Sequence, residues 1–190
     1  MMLSKSFRFQ ADALPRRRAA LALLLAAVGV WPALAGAEGP PQCPAALSAS
    51  QALPLINALR AQPQQCGEHR MPAAPPLAWS LRLADTARQL AQDMAELNRV
   101  AHQDRDGQPL GVRLQRNGYR YLAAAENIAG GQRSVPDVLD AWLASPTHCA
   151  ALMSEALSEV GLACVGRADS TYRTHWVMHL GTPLFPAAGR

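Results

Sequence analysis

The sequence predicts an α+β domain with helices first and an antiparallel pair of strands last, and three observations carry that expectation. Leu83, Ala87, Leu90, Met94 and Leu97 recur at helical spacing, with Arg82, Arg88, Gln89, Gln92 and Glu96 on the other side. Ser134 with Asp137, and then the Ser145-Pro146 step, are helix-start signals. Segments 159–166 and 171–180 are rich in Val, Thr, Tyr and Trp and flank a polar run, Arg167 to Ser170, that reads as a hairpin loop.

From the N-terminus, Arg16, Arg17 and Arg18 precede an apolar run from Ala19 to Leu34 that ends in small residues, the layout of a signal peptide. Ala33-Leu34-Ala35 and Ala35-Gly36-Ala37 both fit small-x-small cleavage, so residues 1–35 read as a leader. The run falls short of the roughly 20 apolar residues a spanning helix needs. Residues 36–48, with Pro40, Pro41 and Pro44, read as a linker, and 49–185 as the domain. Ser48 or Ser50 is placed to cap a first helix through Arg60, and Pro63 to Pro76 reads as a proline-rich loop. After the amphipathic helix, a short helix over 110–117 stops at Gly118, which accepts the left-handed cap conformation. A helix from Ser134 runs through Trp142, and Ser145 is suited to cap the next one, which carries His148 and Cys149 on its opening turn.

Charge excludes one class of partner. The 190 residues hold 18 Lys and Arg against 14 Asp and Glu, but the leader removes five basic residues and one acidic one, which leaves thirteen of each. A near-neutral domain has no electrostatic footprint for nucleic acid. All four cysteines, Cys43, Cys66, Cys149 and Cys164, lie beyond the leader, and an even number in an exported chain favours disulfides. Three pairings are possible; Cys43 with Cys66 and Cys149 with Cys164 would each close a local loop. No Cys-x-x-Cys spacing supports a structural zinc.

Five segments stand in a telling order: Ala101-His102-Gln103-Asp104-Arg105-Asp106-Gly107, Asn117-Gly118-Tyr119, Ala125-Glu126-Asn127-Ile128-Ala129, Trp142 to His148, and Glu159-Val160-Gly161 ahead of the strand around Trp176. Together, over residues 50–182, they resemble the bacterial branch of the CAP superfamily, the cysteine-rich secretory, antigen 5 and pathogenesis-related proteins. The resemblance implies a three-layer α-β-α sandwich with a small antiparallel sheet and a central cleft. It implies that His102 and His148 line that cleft with Glu126, and that the position of a second glutamate in eukaryotic members is taken here by Ser145. It also implies a secreted or periplasmic binding module whose partner is a lipid, an envelope glycan or a protein.

Read as chemistry, two neutral imidazoles and an orienting carboxylate suit a divalent metal such as Zn²⁺, but two protein nitrogens make an open, weak site completed by water. The competing expectation is that the histidines are hydrogen-bonded scaffold. A metal-assisted hydrolase with Glu126 as general base is the enzymatic alternative; no His-Glu-x-x-His pair occurs, and Ser145 with His148 lacks a third triad member. Asp104 to Gly107 brushes against a calcium loop, but Arg113 stands where a bidentate glutamate should, so a tight turn is expected. His175 and His179, four residues apart on one strand, lie about 13 Å apart at ~3.3 Å per residue, too far for one ion. His69 reads as a surface residue.

Overall fold

The computed structural model describes residues 42–44 and 47–185. The expected leader over 1–35 and most of the expected linker lie outside the described residues. Helix α1, Ala49–Arg60, starts at Ser48, whose backbone N–H donates to the Gln51 side chain at 3.2 Å. The segment expected as loop contains a hairpin, β1 (Gln64–Cys66) and β2 (His69–Met71). Gly67, at φ +63°, takes the first position of its two-residue turn, where hairpin geometry favours glycine.

A two-residue strand, β3 (Ala78–Trp79), leads into α2 (Leu81–Glu96). The expected stripe is buried from Leu83 to Met94, but Leu97 is the C-cap and is exposed, so the helical period overruns the helix by one residue. Helix α3, Leu110–Arg116, ends as expected: Gly118 sits at φ +71°, with Tyr119 N–H donating to Leu114 O at 2.8 Å and Gly118 N–H to Gln115 O at 3.0 Å, a Schellman closure. Strand β4, Tyr121–Gly130, follows; α4 (Val135–Ala144) opens on Ser134, whose Oγ accepts from Asp137 N–H at 3.2 Å. Ser145 occupies the N-cap position of α5, Pro146–Leu152, without a side-chain cap bond; its hydroxyl lies 3.5 Å from that of Thr147. Strand β5 spans Glu159–Gly166 as expected, whereas β6 spans Thr174–Pro183, starting three residues late because Arg173, at φ +63°, belongs to the turn.

The four-strand sheet has the order β3-β5-β6-β4, parallel between β3 and β5 and antiparallel elsewhere. Side chains alternate across it. Val160, Leu162, Trp176, Met178 and Leu180 face Ile56 of α1, Leu139 and Trp142 of α4 and Leu152 of α5. Ala163 and Val177 face Ala87, Leu90 and Met94 of α2. Helices therefore cover both faces, which is why β6 is buried along nearly its whole length. Among the described residues no helix is long and apolar enough to cross a membrane.

The disulfides are Cys43–Cys164 and Cys66–Cys149, not the local pairs. The sheet explains why. Cys164 shares the parity of Val160 and Leu162, so it faces the α1 side, where the chain entering α1 passes; Cys149, on the buried side of α5, meets β1.

Candidate functional site

The site grows from two consecutive residues of one strand. Glu126 and Asn127 leave β4 on opposite faces, because side chains alternate along a strand. Glu126 stands in register with His179 of β6, on the face covered by α2. Asn127 points the other way, and its Nδ2 donates to the carbonyl of His148, at the opening of α5, at 3.0 Å. The two helical layers thus each bring one histidine to the same stretch of β4, which is an edge strand of the sheet.

On the α2 side, His102 lies in the loop after that helix. Its Nδ1 is 2.7 Å from Glu126 Oε1. The other carboxylate oxygen accepts from His179 Nε2 at 2.7 Å and from Arg113 Nη2 at 2.6 Å, and Arg113 Nη2 also reaches the His102 carbonyl at 3.1 Å. Glu126 and Arg113 side chains are 4% and 5% exposed and that of His179 0%, whereas the His102 side chain is 55% exposed. A carboxylate only accepts, so the partner assigns the proton to Nδ1 of His102 and Nε2 of His179. The Nε2 lone pair of His102 is left on the solvent side.

Burial alone would raise the Glu126 carboxyl, but hydrogen bonds from His102 and His179, with the charges of His179 and Arg113, outweigh it and bring the pKa to about 2. His102 is raised, chiefly by its hydrogen bond to Glu126. His179 is lowered by burial. His148, half-buried, is lowered by burial and then by the charge of His102.

Both oxygens of the Glu126 carboxylate are engaged by donors, an arrangement that orients the His102 ring. His102 has the opposite character, with one nitrogen fixed and the other bare. Among the described residues no group of three or more His, Cys, Asp or Glu converges as a metal cage.

A model of the cysteine-rich secretory protein family, CAP, matches residues 53–180, a stretch that contains every residue of the site. The chain belongs to the CAP family. A relative by sequence, the uncharacterized protein YkwD of Bacillus subtilis, is 32% identical over 91 residues, 47% of this chain and 35% of that one. An extracellular protein containing a SCP domain from Bacillus anthracis matches in structure with a TM-score of 0.51 at 28% identity, over 57% of this chain and 34% of that one. An outer surface protein of Borrelia burgdorferi shares the fold, with a TM-score of 0.57 at 18% identity, over 72% and 96% of the two chains. The chain thus spans about a third of the two Bacillus relatives.

Of the residues expected at the CAP cleft, His102 and Glu126 are bonded directly, and the backbone carbonyl of His148 is tied to Asn127, the next residue of β4. Ser145 makes no contact with the carboxylate network and lies one turn upstream of His148. Asp104 forms the expected turn, its Oδ1 accepting from Asp106 and Gln108 N–H at 3.0 and 2.7 Å, with Gly107 at φ +75°. Sequence reasoning missed Arg113 and His179. The spacing that excludes His175 and His179 from a shared ion says nothing of Glu126, 53 residues earlier, which only strand register brings alongside His179.

Proposed function

We propose that the domain is exported and works as a binding module whose cleft presents His102 and His148 to a divalent cation held reversibly, with Glu126, Arg113 and His179 as a rigid footing. The observation that carries this reading is the Nδ1 bond of His102 to Glu126, which fixes the ring and leaves the Nε2 lone pair to coordinate a cation. Pairing of all four cysteines supports export, and so do the extracellular and outer-surface relatives. A bound cation would be coordinated by the two imidazoles and would polarise whatever oxygen ligand completes its shell.

The test is calorimetric titration of Zn²⁺ into the oxidised protein at about pH 7.5, with His102→Ala/His148→Ala as the comparison and its thermal midpoint as a control on folding. Saturable binding lost in the double variant is expected, and binding should strengthen as pH rises through the raised pKa of His102, because only the neutral ring coordinates. Heat that does not saturate, or binding that survives the double substitution, removes the proposal.

A further inference from the structure

Four residues along β6 from His179, about 13 Å at ~3.3 Å per residue, a separate groove of about 770 Å³ opens where β3, the start of α2, the α3–β4 turn and the end of β6 meet. It shares no residue with the histidine cleft. Three features distinguish it. Its walls are apolar and open: Leu81 and Phe185 are 75% and 67% exposed, beside Trp79. Its rim is cationic: Arg82 donates from Nη1 to the Gly118 carbonyl at 3.1 Å, and the Arg120 guanidinium lies 5.7 Å above the Phe185 ring. Among the described residues neither arginine is in an ion pair, and the carboxylate on the floor, Glu159, is buried and accepts from Tyr119 Oη at 3.1 Å.

The third feature is main chain. Ala78 N–H donates to Ser158 O and Ser80 N–H to Val160 O, both toward β5. Trp79, between them, therefore turns its own N–H and C=O to the outer edge of the sheet, beside the groove. Two guanidinia outside any ion pair among the described residues, an apolar wall and an outward-facing strand edge are complementary to one kind of ligand.

We propose that this groove binds an extended peptide segment in which carboxylate side chains alternate with apolar ones, the carboxylates meeting Arg82 and Arg120 and the backbone adding at Trp79. A single acyl chain with a carboxylate head would meet the same charges. It is the poorer fit, because walls this open leave the chain in water and the strand edge unused.

The experiment is selection of a displayed random octapeptide library on the immobilised oxidised protein, followed by titration of the synthetic consensus peptide against tryptophan emission. Of the three tryptophans among the described residues Trp142 and Trp176 are fully buried, so Trp79, which lines the groove, is the one whose emission a groove ligand changes. The expected consensus alternates Asp or Glu with Leu, Ile or Phe. Its affinity should fall at least tenfold in Arg82→Gln/Arg120→Gln and at least tenfold between about 50 and 500 mM salt, recover in Arg82→Lys/Arg120→Lys, and be unchanged in His102→Ala/His148→Ala. No enriched sequence, a consensus without acidic residues, undiminished binding in the Gln variant, or dependence on the histidines overturns it. So does tighter binding of octanoate than of the peptide, which would assign the groove to a free amphiphile.

Discussion

Burying a carboxylate is costly unless its lone pairs are matched, and Glu126 is matched by donors from three separate elements: His102 from a loop, Arg113 from α3 and His179 from β6. Glu126→Gln keeps the shape but leaves the Arg113 charge buried and unpaired. A loss of about 3–5 kcal/mol in urea unfolding at pH 7 is expected. The sign with pH follows from the direction of the shift. The folded pKa, about 2, lies below the ordinary 4.5, so this stabilisation is complete above about pH 4.5 and lost as pH falls toward 2, where variant and wild type should converge. His102 runs the other way: its raised pKa contributes below the ordinary 6.5 and is lost as pH rises through the raised value. At this scale the sequence announced His102, Glu126 and His148 by their motifs. Arg113 and His179 were silent, because an arginine on a short helix and a histidine in a strand acquire meaning only from the cross-strand partner.

Gly161 marks a close approach between β5 and α2. A Cβ there would lie 2.0 Å from Ala84 N and 2.4 Å from Leu83 C, both backbone atoms with no rotamer to yield. Gly161→Ala must push α2 off β5, and a cost of about 3 kcal/mol, the upper end of overpacking, is expected in thermal or urea unfolding. Because α2 feeds the loop that carries His102, the same variant should bind Zn²⁺ more weakly than wild type in the calorimeter. The elements differed in how openly the sequence declared them. Helix α2 was legible from its period and β5 from its composition, whereas β4 was not recognised as a strand. Its run Tyr121-Leu122-Ala123-Ala124-Ala125 has no alternation, and alanine favours helix in isolation; pairing with β6 overrides that preference. The β1–β2 hairpin hid among prolines for a similar reason: three residues a side are too few for a pattern.

Across the whole molecule, the two disulfides span separations of 121 and 83 residues and fasten the chain entering α1 to β5 and the small hairpin to α5. In the chain-entropy picture a loop of this size is worth about 4–5 kcal/mol. Cys66→Ala/Cys149→Ala should lose about 4 kcal/mol in reversible denaturation; a loss below about 1 kcal/mol would mean that the unfolded chain is already compact. The sequence left the pairing open because proximity in the fold is set by which face of β5 and which side of α5 each cysteine occupies. The resulting bonds are nested, the outer one enclosing the inner. A ribosome delivers Cys43 and Cys66 well before Cys149 and Cys164, so the earliest bond available to an oxidant joins sequence neighbours that the native fold keeps apart. Protein that passes through that early bond reaches the native pairing only by thiol–disulfide exchange, so added disulfide isomerase is expected to raise the yield of native protein on refolding the reduced chain.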